Sequence, residues 1–204
     1  VDPEGSISAI DLRHGVASAS VRTADFNAWN GKEDELRAAG VRIFGPGAST
    51  SQDLEPEYIA LSRNGQIAWV TLQENNALAV VDVRRAEVLA VLPLGFKDHS
   101  QAYNALDASN EDGAINIQTW PVWGMYQPDA IASFQVDDET YLITANEGDA
   151  RDYDGYSEEE RFAEILGGAR DRLWILGARR IAPLPGVNAL TINDTPDKIA
   201  AAER

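Results

Sequence analysis

Apolar runs short enough to be strands recur along the chain, each closed by a polar turn. Compared with itself, the sequence shows two matches. Ser6–Arg13 matches Ala77–Arg84, and each is an apolar strand ending in an aliphatic-Asp-aliphatic-Arg step. A turn and a second β-rich run follow in both places, Val16–Val21 and Val88–Leu94. Glu55–Ser62 likewise matches Gln127–Phe134. Each of these leads through a polar turn, Arg63-Asn64-Gly65 or Asp137-Asp138-Glu139-Thr140, into an aromatic-bearing strand, Ile67–Leu72 or Tyr141–Ala145. Both strands run into an Asn/Glu cluster, Gln73-Glu74-Asn75-Asn76 or Asn146-Glu147-Gly148-Asp149.

Residues 57–94 therefore read as four short strands, separated by turn signals at Asn64-Gly65, Asn75-Asn76 and Arg85-Ala86. Four antiparallel strands in about 40 residues match one propeller blade. The fold class expected is all-β: a partial β-propeller of four-stranded antiparallel blades with short helical insertions. Residues 6–22 are a half blade, 57–94 a full blade, 95–127 a long insertion, and 128–204 a third blade carrying helical insertions. A β-sandwich of hairpins is the alternative, but it does not require the same unit to recur with the same punctuation. Arg172–Leu176 and Ala189–Ile192 are further strand candidates. Lys32–Ala39 predicts a helix capped by Gly40, Ser157 with Glu160 a capping box, and Thr195-Pro196 a last helix start. The insertion carries Trp120, Trp123 and Tyr126, expected to pin the loop rather than to hold a ligand.

Composition narrows the partners. The 204 residues include 33 Asp and Glu against 17 Lys and Arg, a formal charge of -16. That field repels phosphate backbones and argues against nucleic acid; it suits solubility, cation binding or a saline setting. Cysteine is absent, which removes disulfides, thiolate zinc sites and a cysteine nucleophile together. No apolar run in this segment reaches the roughly 18 residues of a membrane span. The opening Val1-Asp2-Pro3-Glu4-Gly5 is polar, unlike a signal peptide, and reads as a cut inside a longer chain.

Carboxylates are the main candidates for chemistry. Glu147, Asp149, Asp152 and Asp154 fall close together, with Gly148 and Gly155 permitting sharp turns, and are the expected metal ligands, with calcium the cofactor. Solvated turn residues are the competing reading. Asp107, Asn110 and Asp112 before Gly113 miss the spacing of a calcium-binding helix-loop-helix. His14 and His99 are the only histidines; Asp98-His99-Ser100 holds the residue types of a hydrolytic triad, but direct neighbours cannot form its relay. Nucleophile elbow and phosphate loop are both missing from the sequence. No catalytic or organic-cofactor residue is assigned.

The runs Val1–Ser6, Ala39–Gly47, Leu54–Ile59, Leu72–Ala77, Leu94–Ser100, Met125–Asp129 and Thr144–Tyr153 resemble, in order, the bacterial choice-of-anchor I family, over about residues 1–156. The resemblance implies a secreted, periplasmic or surface-anchored bacterial protein with a propeller of about seven blades. Members are often called alkaline phosphatase-like or mesenchyme-specific cell surface glycoprotein-like. The function expected is an extracellular binding or adhesion module with an unidentified ligand or surface partner. The alternative is a calcium-dependent phosphoesterase, favoured by the acidic clusters and by Glu57 and Asp129 at matching strand starts.

Overall fold

The computed structural model describes residues 2–109 and 113–159. They fall into two units: the larger takes the chain up to Gly95 together with Tyr126–Asp149, and the smaller holds Phe96–Met125 and the chain from Ala150 onward.

In the larger unit, β1 (Ser6–Asp11) and β2 (Ser20–Asp25) form an antiparallel hairpin. The second run begins later than its sequence predicts: Val16–Ser18 make a 3-10 turn, with Val16 exposed, before β2 starts. Next come α1 (Glu33–Ala39) and α2 (Thr50–Asp53). Gly40 ends α1 in the left-handed conformation, φ 102, and the Val41 N–H reaches back to the Leu36 carbonyl. That is the cap expected for Lys32–Ala39. The short α2 escaped sequence reading, although Ser49 and Gln52 make a reciprocal capping box.

β3 (Pro56–Leu61), β4 (Ile67–Leu72), β5 (Ala77–Asp82) and β6 (Glu87–Pro93) form one four-stranded antiparallel sheet in the order β3-β4-β5-β6. The expected four-strand unit is therefore one sheet, not two facing layers. Its turns use the residues the sequence marks: Gly65, Asn76 and Ala86 all take positive φ. β11 (Pro128–Val136) and β12 (Glu139–Asn146) pair as a second hairpin, joined by Asp137 and Asp138 at φ 48 and 66. Two consecutive left-handed residues make the tight turn whose twist matches paired strands.

Strand alternation gives the middle sheet two apolar faces. Its front face, carrying Ala68, Val70, Leu72, Ala77, Ala79 and Val81, packs with Ile7, Ala24, Phe26 and the α1 residue Leu36 in the main core. The back face, carrying Ala60, Leu78 and Trp69, packs against Ile131 and Leu142 of the second hairpin. A sheet with both faces apolar needs cover on both sides.

In the smaller unit, β7 (Phe96–Asp98) pairs with β10 (Trp123–Met125), β8 (Leu106–Asp107) with β9 (Ile117–Gln118), and β13 (Asp152–Tyr153) with β14 (Tyr156–Ser157). The Trp120 indole donates to the Leu106 carbonyl at 3.0 Å, so this aromatic pins the insertion as expected. Ser157 lies in β14; the helix predicted beyond it, the Thr195-Pro196 helix and the strands at 172–176 and 189–192 lie outside the described residues. The chain is all-β with few helices, built from small antiparallel sheets. Among the described residues these sheets do not close into a barrel or a propeller.

Candidate functional site

The turn between β4 and β5 organises one end of the larger unit. Asn75 and Asn76 are fully buried, and their side chains work in opposite directions. The Asn75 amide donates to the carbonyls of Arg42 and Asp53 at 2.9 and 2.7 Å, and its Oδ1 accepts the Glu55 N–H at 3.2 Å. Asn76 Oδ1 accepts the N–H groups of Tyr126 and Gln127 at 2.9 and 3.2 Å, while its amide donates to the Gly95 carbonyl at 2.8 Å. Asp53 completes the first side by accepting from the Phe44 and Gly45 N–H groups. Buried polar groups are tolerable only when paired, and this knot pairs loop backbone that no strand ladder reaches.

Carboxylates gather beside the knot. The Glu57 carboxyl is pushed up to about 7, first by loss of hydration and then by the negative charges of Glu74, Asp129, Glu55 and Asp149. Glu57 and Asp129 hold matching positions in the two sequence copies, so the repeat itself brings acids to this end. Gln73 donates to Glu147 at 3.3 Å, tying the cluster of the first copy to that of the second.

The four expected metal ligands divide between the units. Glu147 and Asp149 sit in the larger unit with the Glu57 group, whereas Asp152 on β13 and Asp154 in its turn belong to the smaller. All four are exposed. Among the described residues no group of three or more His, Asp or Glu side chains takes an arrangement able to hold a metal ion. The loop bearing Asp152 and Asp154 is fastened by a feature the sequence reading missed. Arg151 and Glu158 form a buried ion pair, N to O 3.4 Å, with side-chain exposures of 1% and 0%. The Arg151 N–H and the Tyr156 hydroxyl also donate to the Glu158 carboxylate. Opposite charges seven residues apart around an Asp154-Gly155 turn were the available signal.

The histidines carry no relay. His14 is exposed. His99 Nδ1 meets the Asn104 carbonyl at 2.6 Å, and its Nε2 lies where a Cβ on Gly124 would stand, 2.6 Å away. Asp98 turns instead to the Ser100 N–H and the Gln101 amide. Gly124 thus leaves room for a histidine that braces the insertion. A shallow hollow lined by Ser62, Arg63, Asn64, Gln135 and Thr140 lies between the turns of the middle sheet and the second hairpin.

The sequence profile of the choice-of-anchor I domain matches residues 1–177. The chain belongs to the choice-of-anchor I family. A mesenchyme-specific cell surface glycoprotein of Strongylocentrotus purpuratus is 42% identical over 106 residues, which is 50% of this chain and 13% of that protein. The chain thus spans about an eighth of the length of this relative. No solved structure matches it significantly. Two runs that resemble the family carry the knot and its acidic neighbour: Leu72–Ala77 holds Asn75 and Asn76, and Leu54–Ile59 holds Glu57.

Proposed function

We propose that this choice-of-anchor I segment is part of a surface-exposed or secreted β-propeller that binds an extracellular partner. The observation that carries it is the middle sheet, 56–93, apolar on both faces and covered on each by a hairpin of matching sequence. Successive sheets covering one another face to face are how a propeller buries its blades. The cell-surface name of the sea urchin relative supports the location. The absence of a nucleophile–base pair around either histidine, among the described residues, favours binding over turnover. Proteolytic shaving of intact source cells tests the location: release of peptides from residues 1–204 without lysis is expected, and their retention until lysis overturns it.

The second reading is a calcium-dependent phosphoesterase, with Glu147 and Asp149, which lie in the larger unit with Glu57, among the ligands. Its support is the convergence of acids from both sequence copies on Glu57, since hard cations take several carboxylate oxygens. Calcium-dependent hydrolysis of a generic phosphate ester by the intact protein, lost in Asp149→Ala, would establish it; no turnover with or without calcium removes it.

A further inference from the structure

The hollow between the β3–β4 and β11–β12 turns is framed by the repeat and lies within the larger unit. One step past the matched runs, Arg63 and Gln135 are counterparts. They line the same hollow from two successive sheets. The Ser133 hydroxyl donates to the Leu61 carbonyl at 2.6 Å, so a direct bond between the sheets sets the spacing of the walls. The hollow measures about 450 Å³, within the roughly 300–1,000 Å³ of sites that take small ligands.

Its lining is Ser62, Arg63, Asn64, Gln135 and Thr140, hydrogen-bonding groups alone, and their spare capacity is lopsided. Asn64 Oδ1 accepts the Ser62 hydroxyl at 2.9 Å and the Gln66 N–H at 3.0 Å. Those bonds fix the amide, and its two N–H donors have no partner among the described residues. Across the β11–β12 pair, the Gln135 amide donates to Thr140 Oγ1 at 2.5 Å. A hydroxyl that accepts in this way keeps its own proton to donate. The Arg63 guanidinium is exposed and makes no ion pair or hydrogen bond among the described residues. Against these donors, Gln135 Oε1 is the spare amide oxygen. No carboxylate lines the hollow, in a chain with 33 acids against 17 bases.

Spare donors around an unpaired guanidinium make a cradle for an oxyanion. The rest of the chain limits which one. A formal charge of -16, with Asp137, Asp138 and Glu139 in the adjoining turn, opposes a multiply charged anion such as a phosphate. A carboxylate carries one charge and meets the planar guanidinium with two oxygens. A lining without apolar side chains offers nothing to the methylenes of an acidic peptide, whereas a sugar acid surrounds its carboxylate with hydroxyls. We propose that this hollow binds a hexuronate unit of an acidic polysaccharide, its carboxylate on Arg63 and its hydroxyls on Asn64, Gln135 and Thr140. This rests on the extracellular-binding reading above and names a ligand class for it.

Trigalacturonate is the probe, titrated into the intact protein and followed by saturation-transfer NMR. The buffer contains EDTA, so that no calcium bridges the probe to the acids around Glu57. Saturable binding is expected, weakening as salt rises. Arg63→Gln, which installs the residue of the counterpart position, should bind about tenfold more weakly at an unchanged melting temperature. Arg63→Lys should fall between the two, because it keeps the charge and loses the fork. The fully methyl-esterified trisaccharide, with its hydroxyls intact and no charge, should bind wild type as weakly as the acid binds Arg63→Gln. No binding by wild type, equal binding by Arg63→Gln, or equal binding of the ester overturns the proposal. A hexaglutamate peptide bound as tightly as trigalacturonate also overturns it, since the ligand is then an acidic protein. Cell shaving keeps the two failures apart: peptides released from residues 1–204 without uronate binding leave the surface reading standing and remove only this site.

Discussion

Asn75 and Asp53 are joined twice: the Asn75 amide donates to the Asp53 carbonyl at 2.7 Å and to its carboxylate at 3.2 Å. This link ties the β4–β5 turn to α2, and Asp53 then holds the backbone of Phe44 and Gly45. The asparagine is thus the means by which a sheet fixes a loop with no ladder of its own. Asn75→Ala leaves the Arg42 and Asp53 carbonyls and the Glu55 N–H without this partner in a dry setting. A loss of about 2–4 kcal/mol is expected, read as a lower urea midpoint at unchanged slope. Asn75→Asp should cost at least as much, because it sets a second negative charge against Asp53. A variant within about 0.5 kcal/mol of wild type would show that water replaces the knot.

The Arg151–Glu158 pair predicts local rather than global fragility. Removing one partner of a buried ion pair leaves an uncompensated charge and costs about 3–5 kcal/mol. Glu158→Gln should therefore open the loop holding Asp152 and Asp154, seen as faster hydrogen exchange across 151–158. Exchange in β3–β6 should stay unchanged, because those strands belong to the other unit. A uniform change across both units would contradict this division.

The elements legible in the sequence are those made by local punctuation. Asn64-Gly65 and Asn75-Asn76 marked real turns because positive φ at Gly65 and Asn76 selects residues that tolerate it, whereas Arg85-Ala86 turns with an alanine at φ 53 that has no such tolerance. Gly40 marked the end of α1 for the same reason. What stayed hidden depends on distant residues. The carboxyl group around Glu57 joins residues from 55 to 149, and no spacing rule reports such a gathering. The start of β2 was misplaced because Val16 is apolar yet exposed, so hydrophobicity alone put the strand too early. The metal expectation drew on Glu147 to Asp154 as one loop, whereas the chain passes from one unit to the other after Asp149.

The β11–β12 turn offers a stabilising change. Asp137 and Asp138 both hold left-handed backbone, which costs an ordinary side chain and suits Asn-Gly. Replacing the pair with Asn-Gly is expected to gain about 0.5–1 kcal/mol and to leave the register Val136 with Glu139 intact. Thermal unfolding checks the gain. A loss would mean that the aspartates make contacts worth more than the strain they carry.

Glu57 predicts a pH dependence with a definite sign. Its carboxyl titrates near 7 in the folded chain against an ordinary value of 4.5, because lost hydration and four nearby acids oppose its charge. Below about 4.5 it is neutral whether folded or not, and the fold bears no penalty from it. As pH rises through about 7 the unfolded chain already holds the charge it prefers, while the folded chain must take on a charge its surroundings resist. Stability from this group is therefore present at low pH and lost by neutral pH. Glu57→Gln removes the effect, so its melting temperature should match wild type near pH 4 and exceed it by roughly 1–3 °C near pH 8, a small margin because the group is largely exposed. Calcium added near pH 8 distinguishes a bare acidic cluster from a cation site. If carboxylates here hold the ion, wild type gains more than Glu57→Gln and the gap narrows; parallel curves with and without calcium leave only repulsion among acids.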